Sequence, residues 1–321
     1  MRRREFLKAA ALLPMPSLVR AQAWPQQPIK VIAPDQAGSG NDAVIRLFAP
    51  RLEALLGQPI VVDNRPGAGG RIGVEQAFRA TADGHTFMLG NAGATGINAA
   101  VYANLPYDIE KDFIPVSLLA AGPNVLVVTP SLPVSSVAEL VTHLKANPGK
   151  INFAMTGKGG TAHMLTELFR LRTNTDFVTV PYRGAPEMAS AISTGEAHAN
   201  FNNLINIQPQ IAAGQAKLIA VTTAERSPLA PDAKTMAEQG FPGFDASAWT
   251  ALFGLKGTPP AALQRMQAAI ASLRDDVALR DRLRVLGGDL VASGPDVLAA
   301  RVSRDIATWR DLVKQAGLRF D

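Results

Sequence analysis

The chain has 321 residues, of which 47% are hydrophobic and 18% charged, with no cysteine and a formal net charge of +5. That length fits two domains better than one core, and the apolar content excludes wholesale disorder. The missing cysteines exclude thiol nucleophiles, thiolate metal sites, iron–sulfur clusters and disulfides.

The charge is unevenly placed. Residues 1–23 hold Arg2, Arg3, Arg4, Lys8 and Arg20 against Glu5, which leaves only +1 of the +5 for the rest. A nearly neutral body lacks the basic footprint that nucleic acid requires, so no nucleic-acid partner is expected. The same 23 residues read as an export signal, with a basic start, apolar Ala9 to Leu13, and small Ala21 and Ala23 at a cleavage site. Arg3 and Arg4, followed by Glu5, Phe6, Leu7 and Lys8, are similar to the twin-arginine address. No later stretch reaches the ~18 apolar residues of a membrane span. A soluble periplasmic protein cleaved near Ala23 is expected.

The body alternates strand and helix. Residues 29–33 predict a strand ending at Pro34, followed by a Gly-containing loop. A helix over 42–56 follows, with Val44, Ile45, Phe48, Leu52, Leu55 and Leu56 near helical spacing. Strand 60–62, a turn holding Gly67, Gly69, Gly70 and Gly73, a helix to about residue 80 and strand 85–89 come next. Strand 125–128, helix 136–147, strand 151–155 and helix 161–172 form the middle block. Strands 177–180, 197–201 and 218–222 complete it. From Pro259 the chain reads as mostly helical, with Leu263, Met266, Ile270 and Leu273 on one stripe. Alternation of this kind implies an α/β fold with mostly parallel sheets flanked by helices. Pro/Gly breaks near 121–123 and 240–243 divide it into a discontinuous lobe (24–122 plus 243–321) and an inserted lobe (123–242), joined by a hinge crossed twice. Clefts between lobes are preferred ligand sites.

A strand–glycine loop–helix unit occurs once in each proposed lobe, at 32–42 and at 154–163. Glycines let a ligand approach the main chain, and helix N-termini offer unpaired N–H groups and partial positive charge. Two such ends converging on a cleft would hold a carboxylate without Lys or Arg. Nucleotide motifs fail: Gly157 to Ala162 fits G-x-G-x-x-A, but no acidic residue ends a strand ~20 positions on. No nucleophile elbow, S-x-x-K or H-E-x-x-H is present. Asp108, Glu110 and Asp112 lack the Gly and Glu of a calcium loop. No enzyme, cofactor or metal site is expected. His163 reads as a capping or core histidine, Trp249 as core, and Arg183 as a cleft residue after a strand.

The motifs taken in order resemble the Bug-type solute receptors, extracytoplasmic binding proteins of tripartite tricarboxylate transporters. The stretches that carry the resemblance begin with Trp24 to Ile32 and Leu56 to Gly70, including Asn64-Arg-Pro-Gly-Ala-Gly-Gly70. They continue with Ala82 to Thr86, Leu105 to Asp108, Asp112 to Val116 and Asn147 to Lys150. Val180 to Gly184, Ala213 to Gln215 and Thr235 to Gly240 complete the series. The resemblance implies a two-lobed Venus-flytrap receptor of periplasmic-binding-protein type II. A small organic carboxylate would lie between its lobes, and the transporter's membrane subunits would be partners of a monomer. By position, Ala37, Gly38, Ser39 and Asp42 of the first loop and Thr156, Gly157, Gly159 and Thr161 of the second would contact the carboxylate. Asn91, Ala92, Asn202 and Asn203 would line the remainder. This chain departs from the family at Pro34-Asp35, where Pro-Phe is usual, so Asp35 would oppose a second carboxylate or pair with a cation. A ligand sensor with a signalling partner, or an enzyme on the same fold, are the alternatives.

Overall fold

The computed structural model describes residues 24–317; the expected export signal lies outside the described residues. The chain begins β1 (Ile29–Ala33), α1 (Gly40–Leu56), β2 (Ile60–Asn64), α2 (Arg71–Phe78) and β3 (Thr86–Asn91). A wide helical turn at Ala92–Ile97 leads into two short helices, α3 (Asn98–Val101) and α4 (Ile109–Asp112), and then the long strand β4 (Phe113–Val128). The middle block comprises α5 (Val137–Ala146), β5 (Asn152–Met155), α6 (Thr161–Thr173), β6 (Val178–Pro181), α7 (Ala185–Thr194), β7 (Ala199–Asn203), α8 (Leu204–Ala212) and β8 (Lys217–Val221). The chain closes with β9 (Ser247–Leu255), α9 (Pro260–Ala271), α10 (Val277–Val285), β10 (Asp289–Leu290) and α11 (Pro295–Ala316).

The strands lie in the order β2-β1-β3-β9-β4-β7-β5-β6, with β8 and β10 also paired to β4. β4 belongs to both halves. Its first part runs antiparallel to β9, with Phe113 opposite Leu255 and Pro123 opposite Ser247. Its last residues run antiparallel to β7, with Asn124 opposite Asn203 and Val128 opposite Ala199. The fold is the expected two-lobed α/β architecture with flanking helices, but the sheet is mixed. Among the described strands, parallel ladders join β1 with β2 and β3, and β5 with β6 and β7, besides a single parallel bridge from Val221 to Thr235. The sequence hid this because Gly122 and Pro123 read as a break between lobes. In the structure, register shifts between Pro115 and Ser117 and between Leu118 and Ala120 accommodate the irregular stretch within one strand.

Alternation along the strands fills four apolar layers. In the first lobe Ile29, Val31 and Ala33 pack with Phe48 and Leu52 of α1 and Met266 and Ile270 of α9. Ile32 turns to the other face, with Val74 of α2 and Leu298 and Val302 of α11. In the second lobe Leu126 and Val128 pack with Phe153, Phe169 and Phe201, while Val125 and Val127 face Met188, Ile192 and Ile207. Strands covered on both faces need continuous apolar runs, which explains the unbroken Val125 to Val128. α11 reaches both lobes: Ile306 lies in the first lobe's layer and Trp309 in the second's.

The second crossing between lobes is held by polar contacts. Ala246 donates its N–H to Thr222 O (2.9 Å), and its carbonyl accepts from Thr222 Oγ1 (2.7 Å) and Asn124 Nδ2 (3.2 Å). Nearby, Trp249 is a core residue at 2% exposure, as its sequence context suggested. Its Nε1 donates to Asp305 Oδ2 (2.7 Å), while Arg301 Nε donates to Asp305 Oδ1 (2.8 Å), tying α11 to β9. Trp249→Phe keeps an aromatic ring but removes a hydrogen bond to a charged acceptor, an effect of about 2 kcal/mol. Urea denaturation is expected to show that loss of stability with unchanged ligand affinity; an unaltered midpoint would show that the indole contributes packing alone.

Candidate functional site

A cavity of about 340 Å³ lies between the lobes. Its first-lobe wall is built from the β1–α1 loop, the 66–70 turn and the residues after β3. Its second-lobe wall comes from the loop before α6, the start of α7, and the β7–α8 junction. The walls meet through main chain. A Cβ added at Gly69 would lie 2.7 Å from Lys158 O, and one at Gly157 would lie 2.9 Å from Gly69 N. Gly67, Ala68, Gly69 and Gly70 all have positive φ (128°, 49°, 65° and 93°), a left-handed run that glycine makes accessible. Further contacts join the lobes: Tyr102 donates its hydroxyl to Lys158 O (2.9 Å), and Gly40 donates its N–H to Asn206 Oδ1.

Helix starts surround this space. Ser39 caps α1, its Oγ accepting from Asp42 N at 3.3 Å. Gly160, Thr161 and Ala162 bring the start of α6 to the cavity, and Gly184 and Ala185 that of α7. The first amides of a helix have no intrahelical acceptor, so they present donors and partial positive charge. Asn202 adds a side-chain donor. It is 4% exposed and lines the cavity; its Oδ1 accepts from Asn206 Nδ2 (3.0 Å), while its Nδ2 has no partner among the described residues. A buried amide left this way costs on the order of 1–3 kcal/mol unless a ligand or water accepts from it.

The sequence-derived site separates into two sets. Asp35, Ser39, Asn91, Thr156, Gly157, Thr161, Arg183, Asn202 and Asn203 line the cavity. Ala37, Gly38, Asp42, Ala92 and Gly159 do not, and each has a physical reason. Ala37 and Gly38 are exposed where the loop turns outward, and Gly38 donates its N–H to Asp42 Oδ2 (2.9 Å). Asp42 is buried beneath, between Arg46 Nε (2.8 Å) and Asn64 Nδ2 (3.0 Å). Burial works against its charge, but Arg46, the Gly38 N–H and Asn64 outweigh burial and hold its carboxyl below the usual range. Ala92 packs in the apolar layer with Ala94 and Trp249. Gly159 faces away, where a Cβ would meet Tyr102 Cε2 at 2.7 Å and Asn98 Oδ1 at 2.9 Å. Its N–H donates to His163 Nδ1 (3.1 Å), so His163 braces the loop, and burial lowers that imidazole's pKa and favours the neutral acceptor.

Other lining residues lay outside the sequence-derived set. Pro66 to Gly70 read as a turn although their glycine density signalled close main-chain approach. Gln36 and Asn41 sit between residues that were singled out, and Asn206 lies one helical turn beyond Asn202. Tyr182, Ala185 and Met188 enter only through the placement of α7 and carried no local signal.

Asp35 is the one acid on the cavity wall among the described residues. Its Oδ1 accepts from Asn41 Nδ2 (3.0 Å) and its Oδ2 from Asn91 Nδ2 (2.9 Å). Burial pushes its pKa up to about 6, against the opposing effect of the two amides.

Two lobes with a glycine-walled cavity between them are the architecture of solute-binding receptors. Residues 44–318 match the sequence pattern of the Tripartite tricarboxylate transporter family receptor, and the chain belongs to that family. It is 33% identical to Protein BugT of Bordetella pertussis over 303 residues, 94% of this chain and 93% of that one. A Rhodopseudomonas palustris protein solved with adipate superposes with a TM-score of 0.87 at 33% identity, covering 92% of this chain and 99% of the other. MatC from Rhodopseudomonas palustris, solved with bound malate, gives a TM-score of 0.86 at 31% identity, covering 90% and 100%. The family consists of receptors that bind substrates and are not enzymes.

The Asp35 carboxyl gives the site a pH signature. Its folded-state pKa lies above its ordinary value of 3.8, so the folded protein binds that proton more tightly than the unfolded chain. The resulting stabilisation is full below about 3.8 and lost as pH rises through about 6, a change of about 3 kcal/mol. The stability of wild type relative to Asp35→Asn is therefore expected to fall between about pH 4 and pH 7, in ligand-free denaturation curves. Parallel profiles would show that the carboxyl is solvated.

Proposed function

We propose that the protein captures a small organic carboxylate between its lobes and delivers it to the membrane subunits of a tripartite tricarboxylate-type transporter. The observation that carries the carboxylate is the buried, unpartnered Nδ2 of Asn202 on the wall that also holds the start of α6 and Arg183. A carboxylate satisfies such donors in pairs, because each oxygen accepts two or more hydrogen bonds. Adipate and malate in the two solved relatives support the same ligand class. Thr156, Gly157, Thr161, Asn202 and Arg183 would hold the carboxylate, with Ser39, Asn91 and Asn203 around the remainder.

Delivery requires two states. The lobes, 24–122 with 243–321 and 123–242, would hinge where β4 passes Gly122 to Asn124 and where the chain returns through Ala246. A ligand that bridges both walls favours the closed arrangement by its differential affinity for it. The protein would act as a monomer in the periplasm. Its N-terminal 23 residues, read as an export signal, support that location, and no helix among the described residues is long and apolar enough to cross a membrane.

Asn202→Asp tests the binding reading. The substitution keeps an acceptor for Asn206 and turns the free donor into a charged acceptor. Calorimetric titration with a carboxylate that binds the wild type is expected to show at least a tenfold loss, about 1.4 kcal/mol. Retained affinity in the folded variant would move the carboxylate elsewhere. Closure has its own measurement: saturating ligand is expected to reduce the radius of gyration in small-angle scattering. A ligand that binds the open form without compacting it would contradict the hinge.

A further inference from the structure

We propose that the captured solute is a carboxylate bearing a protonated amine, with Asp35 as the group that receives the ammonium. This inference rests on the carboxylate reading and concerns the opposite end of the same ligand.

Two fixed networks make Asp35 an acceptor on both oxygens. Thr250 Oγ1 lies 2.6 Å from Asn41 Oδ1 and donates to it, which turns the amide nitrogen of Asn41 toward Asp35. Ala94 N donates to Asn91 Oδ1 (2.8 Å), which turns the amide nitrogen of Asn91 toward the other oxygen of Asp35. Neither amide can flip without breaking its own support. The carboxylate is thus shaped and oriented by neutral donors, and no ion pair with Asp35 occurs among the described residues. The nearby cation Arg46 is engaged by Asp42. A half-buried carboxylate whose direct partners are neutral amides, with the Asp42 carboxylate adding negative potential, is a site for a cation, because an opposite charge offsets its desolvation. Beside it Gln36 Oε1, also on the cavity wall, is buried and without a donor among the described residues.

The charges across the cavity agree. Among the described lining residues only two side chains carry charge, Asp35 on the first lobe and Arg183 on the second. With the Asn202 amide and the start of α6 on the Arg183 side, one wall is acidic and the other rich in donors. A ligand with an ammonium at one end and a carboxylate at the other matches both walls as the lobes meet. A dicarboxylate places its second charge against Asp35.

The test uses matched pairs that differ only in one end group: 4-aminobutanoate with glutarate, and 5-aminopentanoate with adipate, each titrated calorimetrically against the full wild-type chain. The amine is expected to bind at least tenfold more tightly within a pair. Asp35→Asn is expected to cut that preference at least tenfold while retaining binding of butanoate and pentanoate. Dicarboxylates binding as tightly as their amines would overturn the assignment of Asp35 and leave the carboxylate reading standing. Failure of every carboxylate in the panel would overturn both. The wild-type pairs decide the matter even if Asp35→Asn does not fold, since the ranking within a pair needs no variant.

Discussion

The strand pairing of β4 is the constraint on which the cleft depends. Sixteen residues, Phe113–Val128, serve as a central strand of the first lobe and then of the second. Because the same backbone enters both sheets, the position of one lobe fixes where the strand ends of the other emerge. Asn91 ends β3, which pairs with β9, and β9 pairs with β4. Asn202 and Asn203 end β7, which pairs with β4 directly. The two sides of the cavity are therefore connected by a short path of hydrogen-bonded strands, while the loops that cap it remain on separate bodies.

The walls of the cavity present oriented dipoles more than ions, since only Asp35 and Arg183 carry charge among the described lining residues. Helix starts, glycine amides and fixed carboxamides are held in place by the fold, so they need little reorganisation when a ligand arrives. Glycine contributes by absence: at Gly69 and Gly157 the lack of Cβ lets the two main chains touch, which a side chain would prevent. The network around Asp35 shows the same logic with opposite sign, because two amides are braced by Thr250 and Ala94 so that they face one carboxylate.

Much of this was legible in the sequence, and the failures are specific. The alternation of apolar strands and amphipathic helices gave the α/β class, and the loops after β1 and β5 were recognised as paired features. The antiparallel β4–β9 core was not, because its prolines and glycines mark breaks in local reading, whereas long-range pairing tolerates them at irregular positions. Within the loops the error lay in which residues turn inward. Gly38 and Gly159 have positive φ and looked like ligand-facing glycines, yet each donates its N–H to a side chain four residues on, Asp42 and His163. That choice depends on the buried acceptor beneath the loop, which spacing does not reveal. Asp35 stood out as a departure from its family, but its two amide partners come from positions 6 and 56 residues away.

Two extended chain crossings alone would let the lobes twist as well as bend. α11 adds a third connection, seated among Leu298, Val302 and Ile306 in one layer and at Trp309 in the other. A stiff rod embedded in both bodies opposes torsion between them, so the proposed closure would approach a single rotation. Under the proposed closure, occupancy of the cavity would be converted into an angle, which a surface touching both lobes would read as a full or an empty receptor.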